Sequence, residues 1–174
     1  MAMVFLALIF LSFMGYSLFW VQPDNDEGRQ WLIHWRPLLL RNVWTQTPSL
    51  SASELRLRMG RENLWVVDVR TPEEFSVSTL PGAMTVAEFE SRIQREKPEQ
   101  IVAFCTIGVR SGAWVDGMRA KGVMVENLEG GILGWTHLDA PLVDPGTRPH
   151  RSTLRVHVNS AYWDLVAEGY EAVW

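Results

Sequence analysis

The cysteine of the stretch FCTIGVRSG, residues 104–112, is the only one in the chain. Cys105 follows a short apolar run and precedes a segment of helical character, which predicts a turn between a strand and a helix. Gly108 permits a tight turn, and Arg110 brings a permanent positive charge. Free backbone N–H groups and a cation beside a cysteine favour its thiolate, which is the nucleophilic form. A small apolar residue at a strand end is the alternative interpretation.

The segments around this turn alternate between strands and helices. LWVVDV and IVAFC are continuous apolar runs of strand length, typical of strands covered on both faces of a parallel sheet. SASE and TPEEF open short helices, and SGAWVDGMRAKG is a longer one. The alternation predicts an α/β fold, with an open parallel sheet and helices on both faces. Ligands bind beyond the carboxyl ends of such strands, and Cys105 lies at one of them.

The turn after Cys105 has the features of an anion site. We expect the next helix to begin between Arg110 and Gly112, so that its free N–H groups point back toward the sulfur. The predicted site consists of Cys105 as nucleophile and a substrate-binding loop of Thr106, Ile107, Gly108, Val109, Arg110 and Ser111. Asp68 and Arg70 of the DVR stretch are expected to support the site, or to act only as scaffold at a strand end.

Four segments in order resemble the rhodanese-like family: VVDVRTPEEF, LPGAMTV, IVAFCTIGVRSGAW and LEGGILGWTHLDAPLV. The resemblance implies that Cys105 carries sulfur as a persulfide in a six-residue loop completed by Thr106 to Arg110. Phosphatases related to this fold place five residues between cysteine and arginine, whereas four stand here, which favours sulfur over phosphate. Thr106 and Ile107 occupy positions where efficient thiosulfate users carry cations, a departure that bears on the choice of donor.

The resemblance implies a sulfurtransferase that takes sulfane sulfur from a small anionic donor such as thiosulfate. The acceptor is then a thiol, of a small molecule or a protein, or cyanide, and no cofactor takes part. A non-catalytic rhodanese-like module that recruits a partner to the membrane is the alternative function.

Composition excludes other classes of function. The net charge of −4 and the pI near 5.6 argue against a nucleic-acid partner. One cysteine rules out an intrachain disulfide, and the four histidines show no ligand spacing, so no metal is expected.

The first 22 residues carry no charged side chain. A helix of this length is long enough to cross a bilayer. We expect an uncleaved single-pass anchor, because a basic start and a cleavage site are lacking. Arginines follow this segment and none precedes it, which places the following domain in the cytoplasm. The expected organisation is an anchor over 1–22, a connector over 23–50, a rhodanese-like domain over 51–143 and a C-terminal extension over 144–174.

The connector contains an amphipathic helix in which Trp31, Trp35, Leu38 and Leu39 share one face. This helix lies either on the membrane surface or against the domain. The extension is expected to form a further strand or arm that packs on the domain or rests at the membrane.

Overall fold

The computed structural model describes residues 22–40, 47–61 and 63–174. Its centre is a five-stranded parallel sheet in the order β1–β5–β4–β2–β3. The strands are β1 (Ser49–Leu50), β2 (Leu64–Asp68), β3 (Met84–Thr85), β4 (Gln100–Phe104) and β5 (Glu126–Leu128). The predicted α/β class with a parallel sheet is confirmed.

The described helices are α1 (Asp26–Leu40), α2 (Ala52–Arg58), α3 (Pro72–Val77), α4 (Val86–Ile93), α5 (Val109–Ala120) and α6 (Gly131–Thr136). Three of them begin with the same device. Ser51, Thr71 and Thr85 each cap a helix, and a glutamate three residues later returns the hydrogen bond to the cap. These capping boxes fix where α2, α3 and α4 begin.

The apolar strands β2 and β4 are covered on both faces. Val66 and Phe104 belong to a core layer that includes residues of α2 and α6, whereas Val67 and Ala103 belong to a second layer with Phe89 of α4 and Val115 of α5. Successive strand residues point to opposite faces, so both sets must be apolar. This explains the continuous apolar runs and confirms helices on both faces.

Helix α1 packs on the domain. Leu32 and Ile33 are 3% and 5% exposed and join the same core layer as α2 and α6. Trp31 and Trp35 lie on the outer side, 49% and 44% exposed. Helix α1 therefore packs on the domain, but through Leu32 and Ile33, and Trp31 and Trp35 of the predicted apolar face lie on the other side. The predicted positions of the Leu38 and Leu39 side chains lie outside the described residues.

The predicted anchor over residues 1–22 also lies outside the described residues, apart from Gln22. Over 22–40, 47–61 and 63–174, no helix combines the length and apolar character needed to cross a bilayer.

The C-terminal part packs on the domain. Strand β6 (Leu142–Asp144) pairs antiparallel with β7 (Arg151–Thr153), and β8 (Arg155–His157) pairs parallel with β9 (Glu171–Val173). Val156, Val158 and Leu165 are fully buried in the core layer that contains α6. The extension therefore completes one side of the core.

Candidate functional site

Cys105 directly follows β4 at the carboxyl edge of the sheet, between its neighbours β2 and β5. Its side chain is buried, and the backbone N–H of Gly108 donates a hydrogen bond to Sγ over 3.2 Å. Gly108 has φ +92°, a conformation that glycine adopts readily. Helix α5 begins at Val109, one residue earlier than expected, because this left-handed residue closes the turn. The loop therefore folds back onto the sulfur.

The backbone of the loop is held in place by the start of α6. The N–H groups of Ile132 and Leu133 donate to the carbonyls of Cys105 and Thr106, over 2.9 Å and 3.2 Å. Gly131 precedes them with φ +55°, and a Cβ at this position would lie 2.2 Å from the Cys105 carbonyl oxygen. Only glycine lets α6 approach so closely. Helix α6 thus fixes the positions of the Cys105 and Thr106 carbonyls.

The loop is also held by hydrogen bonds to a side chain of β5. The Ser111 hydroxyl donates to Asn127 Oδ1 over 2.7 Å, and Asn127 Nδ2 donates to the Gly108 carbonyl over 3.1 Å. Ser111 and Asn127 are both buried. The Ser111 hydroxyl, which is expected from the sequence to bind substrate, thus also fixes the turn that presents the Gly108 N–H to sulfur.

Arg110 is paired with a buried carboxylate. Its Nη1 and Nη2 donate to the two carboxylate oxygens of Glu74, each over 2.7 Å. Nη2 also contacts the Thr106 hydroxyl over 2.8 Å, and that hydroxyl donates to Glu74 over 3.0 Å. The Glu74 side chain is 1% exposed, whereas that of Arg110 is 40% exposed. The positive charge at the loop is therefore largely compensated on its inner side.

The electrostatics follow from this arrangement. Burial raises the pKa of the Glu74 carboxyl, but the Arg110 hydrogen bonds, the Thr71 backbone N–H and the charges of Arg110 and Arg70 outweigh it and lower the pKa to about 2. The hydrogen bond with Glu74 raises the pKa of Arg110, with a smaller contribution from Cys105. Both groups are ionised at neutral pH.

The remaining loop side chains are apolar. Ile107 is buried in the core layer with α6, and Val109 is half-buried and packs against the same layer. The polar groups that act on the sulfur are therefore the Gly108 N–H and the Arg110 guanidinium. Cys105, Gly108 and Arg110 thus lie in one loop. The side chains of Ile107 and Val109 support this loop by packing against the core.

Asp68 and Arg70 form a buried ion pair behind this loop. Arg70 Nε and Nη2 contact the Asp68 carboxylate over 2.9 Å and 2.7 Å, and Nη2 also donates to the Ser78 carbonyl. The Thr79 hydroxyl donates to Asp68 over 2.8 Å. The pair ties the end of β2 to the segment after α3. The charge of Arg70 also makes a small contribution to the lowered pKa of Glu74.

Sequence reasoning missed three residues that shape the site: Glu74, Asn127 and Gly131. The sequence contains a feature that points to Glu74, since Thr71 and Glu74 have capping-box spacing next to a strand end. The double glycine at 130–131 also predicted a turn, but not contact with Cys105. Asn127 lies inside a short strand and gives no sequence signal. Among the described residues, no cluster of three or more His, Cys, Asp or Glu side chains could hold a metal ion.

The sequence profile of the Rhodanese-like domain matches residues 51–138, half of the chain. The chain belongs to the rhodanese-like domain family. A sulfurtransferase of Allochromatium vinosum is 31% identical over 88 residues, which are 48% of this chain and 82% of that protein. A tRNA uridine(34) hydroxylase of Xylella fastidiosa is 35% identical over 106 residues, which cover 52% of this chain but only 41% of the relative.

Solved structures agree on the fold of this rhodanese-like domain. The crystal structure of a thiosulfate sulfurtransferase from Pseudomonas aeruginosa superposes with a TM-score of 0.52 at 20% identity. The match covers 57% of this chain and 20% of that one. At this identity the likeness concerns the fold, and the chemistry must be argued from the residues of the site.

Proposed function

We propose that this rhodanese-like protein is a sulfurtransferase that carries sulfane sulfur as a persulfide on Cys105. The observation that carries the proposal is the hydrogen bond of 3.2 Å from the Gly108 N–H to Sγ, within a loop whose Cys105 and Thr106 carbonyls accept hydrogen bonds from α6. With those carbonyls occupied, the loop offers N–H groups rather than carbonyl oxygens to a negatively charged sulfur. Such a setting stabilises both a thiolate and a persulfide anion.

The reaction has two nucleophilic displacements. The Cys105 thiolate attacks the outer sulfur of thiosulfate, so that a new S–S bond forms and sulfite leaves with the electrons of the broken bond. A thiolate or cyanide then attacks the outer sulfur of the persulfide, which gives an acceptor persulfide or thiocyanate and restores the Cys105 thiolate. Charge and electrons balance in both steps, and no external oxidant is needed.

The charge at the loop bears on the donor. Glu74 compensates Arg110 on its inner side, which weakens the attraction of the site for a doubly charged donor. We therefore expect thiosulfate to load Cys105 with a high KM. The preferred exchange is with small or protein thiols and their persulfides, which carry less charge.

Mass spectrometry of the intact protein tests this function. After incubation with thiosulfate or a persulfide donor, the wild-type chain should gain the mass of one sulfur atom, and cyanide should remove it with release of thiocyanate. The matched control is Cys105→Ser, which has no other thiol to load. A wild-type chain that gains no sulfur from either donor overturns the proposal.

One observation favours the alternative of a non-catalytic binding module. Cys105 is only 1% exposed, so a donor has to reach a nearly covered sulfur. The same experiment separates the two functions, because a module that only recruits a partner does not accept sulfur and return it to cyanide.

We also propose that residues 1–22 anchor the chain in a membrane with the domain on the cytoplasmic side. A direct test replaces Met124, which is 68% exposed, with cysteine in a chain that also carries Cys105→Ser. A thiol reagent that does not cross the membrane should label Met124→Cys only after cells are permeabilised. Equal labelling of intact cells contradicts the cytoplasmic placement.

A further inference from the structure

Two tryptophans share the outer face of α1. Trp31 and Trp35 are one helical turn apart, their ring centroids are 6.1 Å apart, and they are 49% and 44% exposed. Large aromatic side chains are normally used to fill a core or an interface, since each buries a large apolar area. A pair of them on one exposed helix face therefore indicates a surface that contacts something else.

The helix cannot rotate to bury these rings. Its inner face is fixed by Leu32, Ile33 and Arg36, all of which are buried. The Arg36 guanidinium lies 4.3 Å from the centroid of the Tyr162 ring and donates to the Tyr162 carbonyl over 2.8 Å. At the start of the helix, the backbone N–H of Glu168 donates to Asp26 over 3.1 Å. The outward direction of the tryptophans is thus part of the fold.

The chain that leads into α1 supplies the second observation. Residues 1–22 contain no charged side chain, and Gln22 is held by hydrogen bonds from its side-chain amide to the carbonyls of Ala161 and Tyr162, over 3.1 Å and 2.9 Å. Only residues 23–25 lie between Gln22 and Asp26, the first residue of α1, and the four steps from residue 22 to residue 26 span roughly 14 Å at most. If the uncharged segment that ends at Gln22 enters a bilayer, Gln22 lies where the chain leaves the bilayer, and α1 lies close to the membrane surface.

We propose that the face of α1 formed by Trp31 and Trp35 docks into the interface of the bilayer that residues 1–22 enter. Tryptophan favours the headgroup region, where its ring meets apolar chains and its N–H meets water or lipid oxygens. The exposed Glu27 lies one turn before Trp31, so the contact depends on the aromatic rings and not on attraction to anionic lipid. The domain is held against the membrane in one orientation instead of hanging from a flexible tether.

Docking would place α1 between the membrane and the part of the domain that holds the Cys105 loop. Ile33 of α1 lies against Gly130, where an added Cβ would be 2.9 Å from the Ile33 side chain. Gly130 is the residue before Gly131, which contacts the Cys105 carbonyl. The inference rests on the proposed anchor, but it is independent of sulfur transfer, since no residue of the docking face belongs to the Cys105 loop.

Lipid quenching of a fluorescent label tests the docking. The full chain with Cys105→Ser is given one new cysteine, either His34→Cys beside the tryptophans or Met124→Cys as control, and is reconstituted in phosphatidylcholine vesicles. Met124 is exposed and lies between Val123 and Val125, which belong to the core layer on the other side of the sheet. Lipids with a quencher near the headgroup should quench the label at position 34 severalfold more than the label at 124.

A second pair of variants shows whether the tryptophans cause the effect. Trp31→Gln with Trp35→Gln should reduce quenching at position 34 to the level at 124, while the protein remains bound to the vesicles. A matched Leu57→Gln change, at another exposed apolar residue, should leave it unchanged. The proposal is overturned if the full chain does not bind vesicles, if both labels are quenched alike, or if quenching persists without the tryptophans. Protection of position 34 in lipid-free protein would also contradict it and would assign the face to another protein surface.

Discussion

Arg110 donates two hydrogen bonds of 2.7 Å to the two carboxylate oxygens of Glu74, which lies 36 positions earlier in the chain. The pair joins the first turn of α5, which follows Cys105, to the first turn of α3. It therefore links the carboxyl ends of β4 and β2, which are neighbours in the sheet. The arginine that sequence reasoning assigned to anion binding also has a structural partner, and its charge at the site is set by Glu74.

Cys105→Ser should abolish sulfur transfer and leave the domain folded. The hydroxyl fits the same turn but is hardly ionised at neutral pH, so the nucleophile is lost. We expect at least ~10³-fold lower thiosulfate:cyanide activity. Steady-state kinetics and circular dichroism check the two halves of the prediction. Retained activity in the serine variant would mean that the nucleophile lies elsewhere.

Glu74→Gln should improve the use of thiosulfate. Without the carboxylate, Arg110 presents an uncompensated charge to the donor, and a gain of about 1 kcal/mol in binding corresponds to roughly fivefold lower KM. The measurement is KM with thiosulfate as donor, with Glu73→Gln as control because Glu73 is exposed one position away. If both variants behave like wild type, Glu74 does not control the charge at the loop.

The contribution of Glu74 to stability should depend on pH. Its pKa is lowered from 4.5 to about 2 in the folded chain, so the ionised form stabilises the fold above pH 4.5 and this stabilisation is lost as the pH falls toward 2. The shift corresponds to about 3 kcal/mol, of which about 2 kcal/mol disappears between pH 7 and pH 3.

Urea unfolding of wild type and Glu74→Gln at both pH values checks this. The variant is less stable at pH 7, and the difference in free energy of unfolding should narrow at pH 3. A difference that is constant with pH would show that the carboxylate does not titrate as described.

Gly131→Ala should disrupt the loop. The new Cβ would meet the Cys105 carbonyl at 2.2 Å, and φ +55° adds backbone strain, so we expect a loss of about 2 kcal/mol or more together with loss of sulfur loading. Gly117→Ala is the matched control, because it lies within α5 with no atom within 4 Å of an added Cβ. It should be neutral or stabilise the fold by about 0.5–1 kcal/mol. Thermal unfolding and persulfide formation measure both effects.

The sequence by itself determined the alternation of strands and helices around Cys105 and the position of Cys105 at the end of a strand. Continuous apolar strands such as LWVVDV require cover on both faces, and capping residues such as Thr71 mark where helices begin, so these features are local. The four family motifs added the rhodanese-like domain. Helix α5 begins one residue before the range predicted from the sequence, because the left-handed conformation of Gly108 is set by contact with β5 and not by its neighbours in sequence.

Only the tertiary structure decided which partners surround the site. Glu74 reaches Arg110, and Gly131 reaches Cys105, because the strands before them are neighbours in a sheet whose order differs from the order along the chain. The same holds for α1, where an apolar pattern indicated a buried face but could not assign it. Leu32 and Ile33 pack in the core layer that contains residues of α6, and Trp31 and Trp35 remain on the outside. Packing decides which residues far apart in sequence come into contact. The periodicity of a sequence shows which residues share one face of an element, but it does not show which other element that face contacts.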